Sequence, residues 1–302
     1  MIVAEKLEKK FGENLAVQAL DLQIQEGEVF GFLGPNGAGK TTTIRMLTSL
    51  IKPTSGSAVI NGFKLGIDDE GIRRSVGVLT ETPGLYENLS AEENLKLYAE
   101  LYETENVTAQ IEKYLSMLGL FDRRTEPVGT FSKGMKQKLA IARALVHEPR
   151  VLFLDEPTAS LDPESSHDLR NFISKLRSEG RTIFLCTHNL DEADRLCDRI
   201  CVFRSKVIII DTPEKLRSSL RGRKIVFHLN HIEKKFEAKL KSFNFVKEIL
   251  VVDNKIIVTL DDPESQNPLL LNALIAEKAE VVFVGELRHS LEDVYLNLIR
   301  EN

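Results

Sequence analysis

The sequence GPNGAGKT, from Gly34 to Thr41, lies between the apolar stretch EVFGFL and a segment with Ile44, Leu47 and Ile51 on one helical face. A glycine-rich turn that joins a strand to a helix and ends in Lys and Thr matches the P-loop pattern. Its backbone N–H groups and the dipole of the following helix both attract phosphate. This segment therefore predicts an α/β domain that binds a nucleotide.

The residues of this loop have separate predicted roles toward the nucleotide. Lys40 would reach the β- and γ-phosphates, Thr41 would offer its hydroxyl to Mg²⁺, and Thr42 would lie near the α-phosphate. The rest of the loop would line the phosphates, namely Gly34, Pro35, Asn36, Gly37, Ala38 and Gly39.

Two acids end the apolar strand VLFLDE, and a histidine follows the next apolar strand, TIFLCTH. A buried carboxylate is costly without a cation, so Asp155 is predicted to bind Mg²⁺ and Glu156 to orient the attacking water as a base. A helix-capping pair of acids is the alternative. The carboxyl ends of parallel strands gather around ligands, which favours a γ-phosphate contact for His188 over a structural role.

The stretch FSKGMKQ, from Phe131 to Gln137, predicts a second helix N-terminus suited to an anion. Ser132 can cap the helix, and Gly134 lets the backbone approach a ligand closely. A chain with one P-loop would thus carry two phosphate sites.

The composition indicates a globular protein of the cytosol. The chain has 302 residues, 42% of them hydrophobic, and a net charge of -5, so no basic field favours nucleic acid. The longest apolar runs are strand-sized and no signal peptide is visible, so any membrane role would require a partner rather than direct insertion. Buried reduced thiols are expected at Cys186, Cys197 and Cys201, although Cys197 and Cys201 could share a helix face in a zinc site.

Apolar strands that alternate with amphipathic helices predict a parallel sheet buried on both faces, with an antiparallel β subdomain before it and a helical subdomain at about 85–150. The polar segment Asp211–Lys224 predicts a boundary between domains 1–215 and 216–302. The second domain reads as β-α-β-β-α-β plus a helix, which favours a ferredoxin-like α+β fold over a less regular α/β extension.

Five motifs in this order, GPNGAGKTTT, FSKGMKQ, LFLDEP, the SLD of 160–162 and His188, resemble the ATP-binding subunit of an ABC transporter. The resemblance covers about the first 215 residues and implies an ATPase of the P-loop NTPase class. It also implies that two subunits pair head-to-tail, so that FSKGM, the signature motif, closes on the ATP held by the other P-loop. Ser132 and Gly134 would then contact that γ-phosphate and Asp162 would communicate across the interface, which implies a homodimer with two composite sites.

The chain departs from the family pattern at several positions. Lys133 replaces a glycine of the signature and Met135 a glutamine, changes that leave the backbone N–H groups in place. Glu81 stands where the family has a glutamine that serves the metal and the water, and it adds a negative charge near the γ-phosphate. Phe11 stands where an aromatic ring stacks on adenine, although a core phenylalanine is the alternative.

The stretches SKGMKQKLAIARAL and PGLYENLSAEENL and the C-terminal extension resemble ATPases of drug, lipid and sodium exporters. This implies a separate integral membrane permease, which sets the cargo and holds the chain at the inner face of the cell membrane. An importer ATPase with a C-terminal regulatory domain is one alternative. A soluble ABC ATPase outside transport is another, but such proteins carry a long coiled coil or two cassettes. A non-enzymatic scaffold is disfavoured by the presence of Glu156 and His188.

Overall fold

The computed structural model describes residues 1–159, 161–219, 223–287 and 290–301. Ser160 of the SLD triplet lies outside them. Contacts divide the chain into two units, Met1–Pro213 and Glu214–Asn302, and the predicted boundary at 215/216 lies two residues from this division.

The first unit contains two sheets, and its strands follow the chain in the order predicted from the apolar stretches. They are β1 Ile2–Phe11, β2 Asn14–Ile24, β3 Val29–Leu33, β4 Ser55–Ile60, β5 Phe63–Lys64, β6 Val76–Leu79, β7 Val151–Asp155, β8 Thr182–Thr187, β9 Arg199–Arg204 and β10 Lys206–Asp211. The helices of this unit are α1 Lys40–Leu47, α2 Asp69–Ser75, α3 Ala91–Leu101, α4 Val107–Met117, α5 Lys133–Leu145, α6 Pro163–Ser178 and α7 Leu190–Leu196.

The larger sheet has the order β10-β9-β3-β8-β7-β6, and its strands are parallel except for β10 at one edge. Every residue of β3, β7 and β8 is buried, as expected for parallel strands covered on both faces. The carboxyl ends of these three strands therefore meet at one edge, immediately before the P-loop, the two acids and His188. The predicted parallel sheet is confirmed.

The smaller sheet has the order β2-β1-β4-β5, with each neighbouring pair antiparallel. Its inward-facing residues join those of the larger sheet in one core. The predicted antiparallel β subdomain is confirmed.

Helices α3, α4 and α5 occupy the segment predicted to be helical. Ser90 caps α3, and Glu93 completes a capping box by accepting from the Ser90 N–H at 2.8 Å. Beneath these helices the ring of His147 stacks on Tyr102 with centroids 3.8 Å apart, and its Nε2 lies 3.1 Å from the carbonyl oxygen of Val76. Helix α5 thereby stays attached to β6.

The helix α8 Pro213–Ser219 spans the division, and the second unit follows it. This unit contains β11 Arg223–Leu229, α9 Lys234–Lys241, β12 Glu248–Val252, β13 Lys255–Leu260, α10 Pro263–Ala276, β14 Val281–Leu287 and α11 Leu291–Glu301. Its sheet is antiparallel with the order β12-β13-β11-β14, so β13 lies between β11 and β12. Phe227, Phe236 and Leu274 are among the buried residues of its own hydrophobic core.

The three cysteines are free and buried, which confirms the expectation of buried thiols. Cys186 lies in β8 and Cys201 in β9, whereas Cys197 follows α7. The interpretation that Cys197 and Cys201 share a helix face is wrong, because the chain leaves the helix between them.

Gly77 in β6 packs against α5 so closely that an added Cβ would overlap the Ala144 carbonyl oxygen and lie 2.7 Å from Leu152. We predict that Gly77→Ala lowers the free energy of unfolding by about 1–3 kcal/mol through overpacking. Thermal unfolding followed by circular dichroism measures this. Gly129→Ala is the control with a smaller expected loss, because its added Cβ would lie 3.3 Å from the nearest atom. Equal unfolding midpoints for Gly77→Ala and the parent would contradict the packing account.

Burial lowers the pKa of His147 to about 4. Between this value and the ordinary pKa of about 6.5, the unfolded chain binds a proton that the folded chain does not, so stability falls as the pH falls. We predict that His147 accounts for at most about 2 kcal/mol of the stability lost from about pH 7 to about pH 5.

Urea unfolding at both pH values, with His147→Gln compared to the parent, measures this contribution. The variant should lose less stability on acidification. The exposed His231→Gln serves as the control and should behave as the parent does. An undiminished loss in His147→Gln would show that another group carries the effect.

Candidate functional site

The P-loop turns between β3 and α1 in a conformation that needs glycine. Gly37 and Gly39 have φ values of 80° and 100°, in the left-handed region that favours glycine. A Cβ on Gly39 would also overlap the carbonyl oxygen of Ala16. The N–H of Ala38 donates to the Pro35 carbonyl at 3.1 Å, and Asn36 at the tip is exposed. The N-terminus of α1 therefore lies next to the carboxyl end of β3.

Lys40 is the buried cation of the site. Its Nζ donates to the carbonyl oxygen of Gly34 at 2.7 Å and to that of Pro35 at 3.4 Å. It also lies 3.5 Å from Oε1 of Glu156. The ammonium is thus held at the position where the loop closes, with a carboxylate beside it.

Thr41 and Asp155 form an oxygen pair at the start of α1 and the end of β7. The Thr41 hydroxyl donates to Oδ2 of Asp155 at 2.8 Å. Burial raises the pKa of Asp155, and the charges of Glu156 and Glu81 raise it further, whereas the Thr41 hydrogen bond and the charge of Lys40 oppose this. A cation would relieve that cost, and hydroxyl and carboxylate oxygens are the ligands that Mg²⁺ prefers. The donor set therefore fits magnesium.

Glu156 follows β7 in a left-handed conformation, with a φ of 51°. Its N–H donates to the Cys186 carbonyl at 2.9 Å, which joins the residue to β8. His188 Nδ1 lies 2.8 Å from Oε2, whereas the buried Oε1 accepts no hydrogen bond among the described residues. One carboxylate oxygen is therefore held by His188, and the other remains available beside Lys40.

The alternative that Asp155 and Glu156 cap a helix is wrong. The next helix, α6, begins at Pro163, and its cap is Asp162, whose carboxylate accepts from the Ser165 N–H at 2.9 Å. Asp155 and Glu156 therefore do not serve as helix caps.

The signature motif forms the N-terminus of α5, as predicted. Ser132 caps the helix, and its hydroxyl accepts from the Met135 N–H at 3.2 Å. Gly134 is buried, and an added Cβ would lie 2.7 Å from Oγ of Ser165. Lys133 is exposed at the first position of the helix. Among the described residues, no hydrogen bond or ion pair joins this N-terminus to the P-loop.

Phe11 lies at the end of β1 with 50% of its surface exposed, so the alternative of a core phenylalanine is wrong. The Lys9 ammonium lies 4.9 Å from the ring centroid. An exposed ring at this position suits a flat aromatic ligand. Thr42 is partly buried in the first turn of α1, and Glu81 is exposed beyond β6.

Two buried side chains near the site were not predicted. Gln137 in α5 donates to the Pro157 carbonyl at 2.9 Å and joins the signature helix to the loop after Glu156. Glu192 in α7 is buried, and burial raises the pKa of its carboxyl group. Its position three residues after the cap Asn189 is a capping-box spacing, a signal that indicates a helix start and gives no sign of burial.

Comparisons with known proteins identify relatives of the chain. A family model described as ABC transporter matches residues 17–159. The bacitracin transport ATP-binding protein BcrA of Bacillus licheniformis is 36% identical over 99% of this chain and 97% of its own. The linearmycin resistance ATP-binding protein LnrL of Bacillus subtilis (strain 168) is 31% identical over 99% and 98%.

Solved structures resemble the chain as well. The structure of an ATP-binding subunit of an ABC transporter has a TM-score of 0.66 at 32% identity, covering 72% of this chain and 92% of that one. A dimeric post-hydrolysis structure of the ATP-binding cassette MJ0796 with ADP and Pi has a TM-score of 0.64 at 27% identity, covering 70% and 98%.

We predict that Phe11→Ala weakens ATP binding about 5- to 100-fold, because stacking of a base on an aromatic ring contributes about 1–3 kcal/mol. Isothermal titration calorimetry measures the affinity, and Phe11→Tyr, which keeps the ring, is the matched control. The stability of Phe11→Ala should stay near that of the parent, since the side chain is exposed. Unchanged ATP affinity in Phe11→Ala would contradict adenine stacking.

Proposed function

Because the chain belongs to the ABC transporter family as an ATP-binding ATPase subunit, we propose that it powers a separate membrane permease by closing and opening a dimer. The observation that carries this proposal is the separation of two phosphate sites on one chain. Lys40, Asp155, Glu156 and His188 gather at the P-loop, while the capped N-terminus of α5 makes no described contact with them. A second copy, turned head-to-tail, supplies the missing side of each site.

Closure gives each loop residue a role in binding ATP. The glycine-rich backbone and Lys40 hold the β- and γ-phosphates, and Phe11 stacks on the adenine. Thr41 and Asp155 would hold Mg²⁺, which neutralises phosphate charge, and Glu81 would accept a hydrogen bond from water on the metal. Ser132 and Gly134 of the other copy contact the γ-phosphate, and Asp162 connects the two sites across the interface.

Hydrolysis then uses the free carboxylate oxygen. Glu156 Oε1 orients a water molecule for attack on the γ-phosphorus and takes up its proton, while the bond to the ADP oxygen breaks. His188 keeps the carboxylate in place through Oε2 and lies near the γ-phosphate. Loss of the γ-phosphate removes the attraction that held the signature motif, and the dimer opens.

Export is the direction favoured by the relatives. Their names describe linearmycin resistance and bacitracin transport, and a further relative from Mycobacterium tuberculosis is a fluoroquinolones export protein. No helix in the described part of the chain is long and apolar enough to cross a bilayer. We therefore propose that the chain acts at the inner face of the cell membrane through its permease, with residues 1–215 as the ATPase domain and 216–302 as an accessory domain that supports dimer contact.

Glu156→Gln should bind ATP and accumulate as a closed dimer, because the amide cannot accept the proton from water. Hydrolysis should fall by at least about 100-fold. Size-exclusion chromatography with light scattering measures the dimer, and phosphate release measures the rate. A variant that stays monomeric at saturating ATP would overturn the head-to-tail dimer.

Glu81→Gln should leave ATP affinity nearly unchanged and raise the turnover rate several-fold, because it removes a negative charge beside Asp155 and Glu156. Steady-state phosphate release measures the rate. The matched control is Glu87→Gln in the same segment, whose carboxylate pairs with Lys136 at 2.6 Å and should not affect turnover in this way. A slower Glu81→Gln enzyme, at protein concentrations that keep the dimer closed, would mean that the carboxylate itself takes part in hydrolysis.

A further inference from the structure

Lys133 differs from the other lysines of α5 because it has no partner in the described residues. Lys136 pairs with Glu87 at 2.6 Å, and Lys138 pairs with Asp168 at 2.9 Å. Lys133 lies one position after the cap, exposed, and within the described ranges no carboxylate lies within ion-pair distance of it. The Lys133 ammonium is therefore an exposed positive charge on the signature motif, without a countercharge among the described residues.

Glu81 carries the opposite charge and, like Lys133, is exposed without an ion-pair partner among the described residues. It lies just beyond β6, and the parallel pairing of β6 with β7 brings it to the strand ends that hold Asp155 and Glu156. Three carboxylates thus surround the site of one copy, where Lys40 is the buried cation.

We propose that Lys133 of one copy pairs with Glu81 of the second copy when ATP closes the dimer. This inference rests on the proposed function, since only the proposed head-to-tail arrangement would bring the signature motif of one copy to the phosphate site of the other. Each closed dimer contains two such pairs, related by its two-fold axis.

The two charges balance each other across the interface. A carboxylate at position 81 repels the triphosphate, and this repulsion opposes closure unless a cation arrives with the signature motif. Lys133 supplies that cation, and its flexible four-carbon stem lets it reach a carboxylate beside the phosphates. The pair therefore favours a second copy of this chain over a subunit that lacks either charge, since complementary charges across an interface select the partner.

The test is a charge-swap cycle in the Glu156→Gln background, where hydrolysis does not interfere. Dimer dissociation constants at saturating ATP are measured by analytical ultracentrifugation for Lys133→Glu, Glu81→Lys and the double variant. Because each dimer contains two pairs, Lys133→Glu should raise the dimer dissociation constant at least about tenfold. The increase should be much smaller when Glu81→Lys is also present. This rescue should shrink between about 0.1 M and about 1 M ionic strength.

Folding does not obscure the result. A carboxylate is favoured in the first turn of a helix, so Lys133→Glu should not destabilise α5. Lys138→Glu is the matched control, because its partner Asp168 is in the same chain. Glu81→Lys should not rescue any loss that this control shows.

Each outcome has one meaning. If Lys133→Glu costs the same factor with Glu81 and with Glu81→Lys, Lys133 acts on the phosphate alone and the pair is overturned, while the dimer stands. If the Glu156→Gln parent stays monomeric with ATP, the head-to-tail dimer and the pair both fall.

Discussion

The ion pair between Lys40 and Glu156 is the interaction on which the proposed ATP site depends. Its ammonium and carboxylate lie 3.5 Å apart. Lys40 follows β3 and Glu156 follows β7, the two strands that flank β8 in the larger sheet. Lys40 is buried and Glu156 is partly buried, which is tolerable because the Gly34 carbonyl and His188 complete their hydrogen bonds. Glu156 has a left-handed backbone conformation and Gly39 a positive φ, so both segments that carry the pair contain backbone of the kind found at functional sites.

Much of the fold followed from local patterns in the sequence. Apolar runs such as VLFLD and TIFLCT predicted buried parallel strands, and the positions of Asp155, Glu156 and His188 at strand ends predicted that they would gather. Ser132 was correctly predicted as a helix cap, because capping depends on residues within one turn. Each of these predictions rested on a pattern within a few consecutive residues, even where the residues that come together are far apart in the chain.

Features that depend on distant neighbours were not accessible from the sequence. The exposure of Phe11 is set by what packs on the end of β1, and the bond from Gln137 to the Pro157 carbonyl joins residues 20 positions apart. The spacing of Cys197 and Cys201 suggested a helix, yet the chain enters β9 between them. In each case tertiary packing decided between interpretations that local patterns left open.

In the proposed dimer, the division of the phosphate site between two copies accounts for the use of both a permease and a partner copy. Under this proposal, attraction to the γ-phosphate closes the dimer and loss of that phosphate opens it, so the chemistry at Glu156 becomes a movement that a permease can use. The measurement that tests this account most directly is purification of the chain from its native membranes in mild detergent, with mass spectrometry of what accompanies it. We predict a multi-span membrane protein in stoichiometric amount. Recovery only from the soluble fraction, alone or with nucleic acid, would contradict the transport function while leaving the ATPase chemistry in place.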